Sequence, residues 1–345
     1  MINAETPLFC PRKSCEHYQS GDNRIIKDGT YRTKNDPVPR QMFICGKGGH
    51  RFSETGWSEI FYKHGSFKEY GQTMKLTRYG LHTEAIADVL EKDIRTIATW
   101  QKSIGNKCKL FHFFICLIMS ISISELQMDE LWSYLGRKTR QLWLFIAFSP
   151  KTKFWIHFVL GSRTRHSANR LIAGIKKLAV FPENEVLRIT TDKLAAYKNA
   201  IEDLFGDVDY VYLQIVKQRY RKILRTVKKI FVKGTEEDFP DGTRNTSFIE
   251  RFNLALRQRL SYLTRKTLGY CKNKANFECM LWMNLFDYNY CQIHKGLRMD
   301  LKGEKQCGFR RRYAHLTPAM KMNMADCPLN LRYLLTVPVH SKCLN

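Results

Sequence analysis

Residues 142–160, LWLFIAFSPKTKFWIHFVL, contain two runs of aliphatic and aromatic residues separated by Ser149-Pro150-Lys151. Short apolar runs bounded by turn residues are typical of buried strands. Upstream, Ile121 to Ser124 alternates apolar and polar residues, which predicts another strand. Three adjacent strands are therefore predicted in this part of the chain.

The segments that follow alternate between helical and strand patterns. Apolar residues recur at helical spacing through Leu171, Ile175 and Leu178, and the next apolar run ends at Asp192. This alternation predicts an α/β fold, with a mixed sheet and flanking helices. The predicted elements are a helix at 167–178, a strand at 185–191, a helix at 194–204, a short strand at 210–213, a basic connection, and a helix at 246–260.

The composition indicates a globular protein with a polyanionic partner. The 345 residues include 57 Lys and Arg against 32 Asp and Glu, a formal charge of +25, and 44% are hydrophobic. The apolar run from Leu110 to Ile123 is shorter than the ~18 residues of a membrane span. We therefore expect no membrane segment. The N-terminus lacks signal-peptide features, so we expect a cytoplasmic, nucleoid-associated protein.

The first sixty residues differ from the rest in having spaced cysteines among turn residues. Cys10 and Cys15 form one pair, and Cys45 and His50 form a second, each with four intervening residues. Two such pairs can supply four ligands to a tetrahedral Zn²⁺. Two buried thiols and a surface histidine are the alternative interpretation, and His17 is a possible substitute ligand. Because the segment is poor in aliphatic residues, a metal would help it to fold.

Residues 74–102 show the spacing of a helix-turn-helix. One helix is predicted from Thr83, a turn at Glu91 to Asp93, and a second helix from Ile94 through Trp100. In such motifs the second helix enters the DNA major groove. A plain helical hairpin remains the alternative. The predicted DNA-facing residues are Arg95, Thr96, Thr99 and Gln101.

Three acidic residues stand out from the surface charges. Asp129 and Asp192 lie within or directly after predicted buried strands, and Glu250 lies on an amphipathic helix. Burial of an unpaired carboxylate is unfavourable, so a cation is expected to face these groups. Converging carboxylates suit two divalent cations in phosphoryl transfer, and oxygen ligands favour Mg²⁺ or Mn²⁺.

The segments around these acids resemble the three acidic blocks of DDE transposases of the insertion sequence one family. They are Met128-Asp-Glu-Leu-Trp-Ser133, Thr191-Asp-Lys-Leu-Ala-Ala-Tyr197, and the segment 245–260. The resemblance implies an RNase H-like catalytic domain with Asp129, Asp192 and Glu250 as metal-binding catalytic acids. It also implies that Arg257, seven positions after the glutamate, is the basic catalytic residue.

With this resemblance, the chain is expected to be a transposase that binds the inverted repeats of its element and performs metal-dependent strand cleavage and strand transfer. A homodimer or higher oligomer on double-stranded DNA is expected, because joining two ends requires two active sites. The rival hypotheses are an RNase H-fold nuclease or integrase without transposition and a transposase-derived repressor. The expected domains are a zinc-finger-like module (1–60), a helix-turn-helix domain (61–108), the catalytic domain (109–300) and a C-terminal extension (301–345).

The basic residues concentrate before and within the helix that carries Glu250. Between Gln214 and Lys274 there are 16 Lys and Arg against 5 acids. Such residues can neutralise DNA phosphates without reading sequence. The predicted phosphate contacts are Arg219, Arg221, Lys222, Lys228 and Lys229.

Overall fold

The computed structural model of the chain describes residues 9–18, 24–34, 36–56, 60–61, 63–221, 223–264, 269–301, 305–306, 309–310, 313–337 and 339. The chain divides into two compact units. The central unit is Cys116–Lys274, and the terminal unit combines Met1–Ile115 with Ala275–Asn345. Residues 275–300, which were predicted to belong to the catalytic domain, cluster instead with the N-terminal part.

The N-terminal part of the terminal unit begins with a three-stranded antiparallel sheet and continues with helices. The Ser66 side chain accepts a hydrogen bond from Glu69 N, and the Glu69 carboxylate accepts one from Ser66 N, so a capping box starts the first helix. The elements are β1 (Ile25–Thr33), β2 (Asp36–Cys45), β3 (Arg51–Ser53), α1 (Phe67–Arg78), α2 (Thr83–Val89) and α3 (Ile94–Met119).

The helix that begins at Ile94 is much longer than predicted. It runs for 26 residues to Met119 and includes most of the apolar run from Leu110. Phe111 is buried there against Phe286, with ring centroids 5.4 Å apart. Residues 111–116 of the run are therefore buried within the helix, whereas Leu117 and Ile118 are exposed. Within the described part of the chain, no helix has the length and apolar character required to cross a membrane.

The central unit contains a six-stranded mixed sheet in the order β11-β10-β9-β5-β6-β7. Strands β5, β6 and β7 are antiparallel neighbours, β9 and β10 continue in parallel with β5, and β11 returns antiparallel. The elements are β4 (Ile121–Ser122), β5 (Glu125–Leu135), β6 (Arg137–Ser149), β7 (Phe154–Gly161), α4 (Arg165–Leu178), β8 (Ala179–Val180), β9 (Leu187–Thr191), α5 (Ala195–Leu204), β10 (Tyr210–Tyr220), β11 (Ile223–Lys233) and α6 (Ser247–Arg259).

Helices cover the sheet of the central unit and create its core. The α4 side chains Leu171, Ile172 and Ile175 are fully buried. Helix α6 packs through Phe252, whose ring stacks on Phe148 at 4.9 Å. The mixed α/β architecture with this sheet is consistent with an RNase H-like domain, as predicted.

The basic connection predicted after residue 213 is instead a long hairpin of strands β10 and β11. Its register pairs Gln214 with Ile230 and Tyr220 with Ile223. Residues 223–232 contain Ile, Thr and Val among their lysines and arginines, and these β-branched side chains favour extended backbone. Because residues 223–232 are highly charged, their strand pattern was not recognised in the sequence.

The C-terminal part of the terminal unit is built around a helix that is apolar on nearly all sides. Phe277, Leu281, Leu285 and Phe286 of this helix are fully buried, which explains why the segment clusters with the N-terminal helices. The elements are α7 (Lys274–Phe286), a π-helical turn (Asp287–Cys291), β12 (His294–Asp300), β13 (Lys305–Gln306), β14 (Phe309–Arg310), β15 (Tyr313–Leu316), α8 (Pro318–Lys321) and α9 (Leu331–Thr336).

Candidate functional site

A cavity of about 480 Å³ in the central unit brings together the four residues predicted to be catalytic. Asp129, Asp192, Glu250 and Arg257 line it, and Asn253 lies among them. Lys193, Lys217, Thr246 and a short stretch of β10 complete the wall. Three acids from distant parts of the sequence therefore share one space with four cationic or amide side chains.

Two neighbouring parallel strands place the aspartates beside each other. Met128 of β5 pairs with Thr191, the last residue of β9, so Asp129 and Asp192 are the next residues along two adjacent strands. The backbone N–H of Leu194 donates to Asp192 Oδ1 at 2.9 Å. Asp129 accepts two hydrogen bonds, one from Glu130 N at 2.9 Å and one from Asn253 Nδ2 at 2.7 Å. Both carboxylates are thus held in defined orientations.

Helix α6 supplies the remaining predicted residues of the site. Glu250, Asn253 and Arg257 are spaced three and four residues apart, which places them on one face of the helix. The Glu250 carboxylate contacts the ammonium group of Lys217 and accepts a hydrogen bond from Thr246 Oγ1. A cation from the β10–β11 hairpin therefore already neutralises part of the acidic charge.

The cavity makes ionisation of Asp129 unfavourable. Burial raises the pKa of Asp129 to about 6, and the charges of Asp192 and Glu250 act in the same direction. The hydrogen bond from Glu130 N and the positive charge of Arg257 oppose the rise. A divalent cation would reverse this effect, because it stabilises the ionised carboxylate.

Glu130 is a candidate ligand that the sequence prediction missed. One carboxylate oxygen from each of Asp129, Glu130 and Asp192 lies within 4.8 Å of the others. Burial raises the pKa of Glu130 to about 7, with further contributions from Asp192 and Asp129, although Arg163 donates to Glu130 Oε1 at 2.9 Å. A second acid directly after Asp129 in a buried strand was the available signal.

Two buried oxygen atoms at this site have no hydrogen-bond partner among the described residues. They are Glu130 Oε2 and Asn253 Oδ1. Buried polar atoms in proteins almost always have a partner, so each of these oxygens has capacity for a ligand. An all-oxygen donor set of this kind fits Mg²⁺ or Mn²⁺.

In the terminal unit, the three predicted cysteine ligands converge. The sulfur atoms of Cys10, Cys15 and Cys45 lie within 4.8 Å of one another, and Cys15 and Cys45 are 3.9 Å apart. Sulfurs on a tetrahedral Zn²⁺ with bonds of ~2.3 Å lie at about this separation. Phe43 and Phe52 stack on each other with ring centroids 5.7 Å apart and are buried in one cluster with the three cysteines.

His50, the predicted fourth ligand, lies near the sulfur atoms but outside the cluster that they form. A Cβ added to Gly48 would lie 3.0 Å from Cys15 Sγ and 3.1 Å from His50 Nε2, so the lack of a side chain at this glycine keeps the space beside both groups open. Arg12 Nη1 is 2.8 Å from His50 Nδ1. The structure thus supplies three soft donors that fit Zn²⁺ and one imidazole close by.

Of the four predicted DNA-facing residues of α3, one is buried. Arg95 and Thr99 are exposed and Thr96 is half-buried, but Gln101 is only 4% exposed. The Gln101 amide donates to Thr77 Oγ1 at 2.9 Å and accepts from Thr83 Oγ1 at 2.9 Å. The prediction for Gln101 was wrong because this side chain ties three helices together.

Four of the five predicted phosphate contacts, Arg219, Arg221, Lys228 and Lys229, belong to the β10–β11 hairpin. Arg221, Lys228 and Lys229 are exposed, and Arg221 has a φ of +47° at the turn. Its guanidinium lies 5.4 Å from the centroid of the Tyr220 ring. Lys222 and the side chain of Arg219 lie outside the described residues.

Comparisons with known proteins match this central segment. The sequence profile of the IS1 transposase family matches residues 122–235. Residues 122–235 are therefore similar to the IS1 transposase family. The resemblance seen in the sequence motifs is thereby confirmed. The matched segment includes Asp129, Asp192 and the β10–β11 hairpin, whereas Glu250 lies beyond it.

Curated proteins show the same similarity. The chain is 29% identical over 147 residues to the insertion element IS1 4 protein InsB of Escherichia coli strain K12, a match that covers 43% of the chain and 65% of that relative. It is 29% identical over 147 residues to the insertion element IS1 protein InsB of Shigella sonnei, covering 82% of that protein. The insertion element IS1 2 protein InsB of E. coli K12 matches over 164 residues at 29% identity.

Proposed function

We propose that the chain is a DNA transposase that cleaves strands at the ends of its element and joins them to a target through the acids of the central unit. One observation carries the proposal: Asp129, Asp192 and Glu250 surround one cavity. Beside it lie oxygens of Glu130 and Asn253 that no described residue contacts by a hydrogen bond. The similarity to IS1 InsB proteins supports DNA transposition as the process.

Each residue has a role that follows from its position. Asp129, Asp192 and Glu250 hold two divalent cations, which when bound stabilise the attacking and leaving oxygens of the phosphoryl transfer. Asn253 orients the Asp129 carboxylate by its hydrogen bond. Arg257 and Lys217 bind the non-bridging oxygens of the substrate phosphate, because both line the cavity. Arg257 lies on the same helix as Glu250, and Lys217 contacts Glu250 from strand β10.

The terminal unit binds DNA in this proposal. Zn²⁺ held by Cys10, Cys15 and Cys45, with His50 as the fourth ligand, stabilises the N-terminal module. The helix from Ile94 contacts the terminal repeat as the second helix of a helix-turn-helix, through Arg95, Thr96 and Thr99. Two copies of the chain hold the two element ends, so the active form is at least a dimer.

A strand-transfer assay tests the proposal and separates it from hydrolysis alone. The full chain is incubated with labelled element-end DNA, supercoiled target plasmid and Mg²⁺. We expect labelled ends joined to the plasmid with wild-type protein and none with Glu250→Gln, which keeps the shape of the side chain. Nicked ends without joining would support the nuclease hypothesis. Specific DNA binding without either product would support the repressor hypothesis.

A further inference from the structure

A row of aromatic side chains lies along β5 on the side opposite to α6. Trp132 and Tyr134 have ring centroids 5.3 Å apart, and Tyr134 stacks on Tyr270 at 5.8 Å. Trp143 of β6 is the cross-strand partner of Trp132. We call Trp132, Tyr134, Trp143 and Tyr270 the aromatic stripe.

The aromatic stripe is open to solvent. Trp132 is 38% exposed, although its size and apolar character favour burial, and the other three rings are half-buried. On the opposite side of the same strand, Ser133 donates to the carbonyl oxygen of Tyr262 and Asp129 bonds to Asn253 of α6. Alternation along β5 therefore directs Asp129 and the stripe to opposite faces, whereas Glu130 lies on the face of the stripe. A stack of rings that is accessible in this way can accept a further planar group.

A pair of contacts links the stripe to the acids. The Arg163 guanidinium lies 4.7 Å from the centroid of the Trp143 ring and donates to Glu130, whose carboxylate belongs to the Asp129 and Asp192 cluster. Trp132 follows Glu130 by two residues on the same face of β5, a distance of about 7 Å along a strand. The stripe thus begins next to the proposed cleavage site and leads away from it.

The charge around the stripe suits a nucleic acid strand. From Leu131 to Ser149, along the hairpin of β5 and β6, the sequence has three Lys and Arg and no Asp or Glu. Arg137, Lys138 and Arg140 are exposed on β6, directly after the turn that follows Tyr134. Rings that stack in succession between basic residues are the combination that binds single-stranded DNA, in which bases stack on the rings and phosphates contact the cations.

We infer that the aromatic stripe binds unpaired nucleobases of the DNA strand next to the cleavage site. This inference rests on the proposed function, because it takes the acidic cavity as the place where the strand is cut. Bases opened beside the cut stack on Trp132 and Tyr134, while the basic residues after Gly136 contact their phosphates. The stripe then keeps the end of the strand in place between cleavage and joining.

The test measures whether the full chain recognises bases in a single strand. Binding is measured in EDTA, to prevent cleavage, with a short duplex that carries a single-stranded thymidine overhang and with the same duplex carrying abasic residues in the overhang. Wild-type protein should prefer the overhang with bases by roughly 5-fold or more, from stacking of at least one base. Trp132→Leu and Tyr134→Leu should lose the preference, whereas Trp132→Phe and Tyr134→Phe, which retain a ring, should keep most of it.

A second measurement does not depend on any variant. An overhang containing 5-iodouracil is photo-crosslinked to wild-type protein, and the attachment sites are mapped by mass spectrometry. Crosslinks to Trp132, Tyr134 or Tyr270 would support the inference, and crosslinks confined to other parts of the chain would overturn it.

Other outcomes separate this inference from the proposed function. Normal Mg²⁺-dependent nicking with no preference for bases would overturn the inference that the stripe binds bases and leave the transposase proposal in place. A base preference that is lost in the leucine variants, together with no nicking by wild-type protein, would support base binding by the stripe. It would contradict the proposal that the cavity is a cleavage site. Leucine variants that keep base preference but change the oligomeric state would identify the stripe as a contact between copies, which also overturns the inference.

Discussion

Replacement of Asp129 by Asn should stabilise the metal-free protein at neutral pH while abolishing its proposed chemistry. The folded protein holds the pKa of Asp129 at about 6, against an ordinary value of 3.8, chiefly because the carboxyl is buried. One pKa unit corresponds to about 1.4 kcal/mol, so ionisation of Asp129 at pH 8 opposes folding by up to about 3 kcal/mol. Because water enters an open cavity, we expect a gain of about 1 to 2 kcal/mol in Asp129→Asn.

The hydrogen bonds of the site can adapt to the asparagine. Asn253 Nδ2 donates to Asp129 Oδ2 in the wild-type protein, and Asn253 Oδ1 has no hydrogen-bond partner in the described part of the chain. A flip of the Asn253 amide would let Oδ1 accept from the new side-chain N–H. Asp129→Asn therefore removes a charge while a hydrogen bond between the two side chains is kept.

The difference in stability between Asp129→Asn and wild type should depend on pH. A carboxyl whose pKa is raised on folding contributes stability that is fully present below its unfolded value, near pH 4, and that is lost as the pH rises through about 6. The variant and wild type should therefore be equally stable near pH 4, with the variant becoming the more stable one between pH 4 and 6. Urea unfolding in EDTA, repeated from pH 4 to pH 8, measures this difference.

A matched control is Asp207→Asn, which makes the same substitution at an exposed site. The side-chain hydrogen bond from Lys176 lowers the pKa of Asp207, so the control should show no gain at high pH. An Asp129→Asn variant that is less stable than wild type at pH 8, or a difference that does not vary with pH, would refute the account of the cavity.

Three further predictions concern the other sites. Cys10→Ser and Cys45→Ser should each reduce bound zinc and end-specific DNA binding, and full zinc content in both variants would reject the site. Arg95→Ala should reduce the preference for terminal-repeat DNA over random DNA by about 1 to 3 kcal/mol without loss of stability. Gln101→Ala changes a buried side chain and should lower stability instead. The reverse pattern would contradict this assignment of the helix. Arg257→Ala should weaken Mg²⁺-dependent nicking but leave measurable cleavage. Glu130→Gln should raise the Mg²⁺ concentration needed for half-maximal nicking. An unchanged Mg²⁺ dependence in Glu130→Gln would exclude Glu130 from the metal site.

Part of the central sheet could be predicted from sequence because residues 142–148 and 154–160 are almost entirely apolar. His157 is the one polar residue of these two runs, and the structure places the runs in β6 and β7. Asp129 and Asp192 were also recognisable, since an acid in or after such a strand is unusual. Their adjacency required the strand order, because the parallel pairing of β9 with β5 is not visible in local patterns.

The elements that the prediction missed share a physical cause. Strand β11 is exposed along most of its length, so solvated lysines obscure its β-branched residues. Gln101 has the polarity of a surface residue, and only the positions of Thr77 and Thr83 show that its amide is satisfied inside. Trp132 is large and apolar, as core residues are, yet its side chain is partly exposed to solvent beside Tyr134. Local sequence patterns report polarity and period, but not which neighbour covers a side chain.

The most direct test of the account is Mg²⁺-dependent nicking of element-end DNA by full-length Asp129→Asn, Asp192→Asn and Glu250→Gln, with binding of the same DNA measured in parallel. Each variant removes one negative charge from the cavity and changes the side-chain shape little. We predict that nicking falls at least roughly 10³-fold in all three variants, while DNA affinity is unchanged or slightly higher because a carboxylate near the phosphates has been neutralised. Nicking within about tenfold of wild type in Asp129→Asn or Asp192→Asn would contradict the claim that these acids form the catalytic metal site.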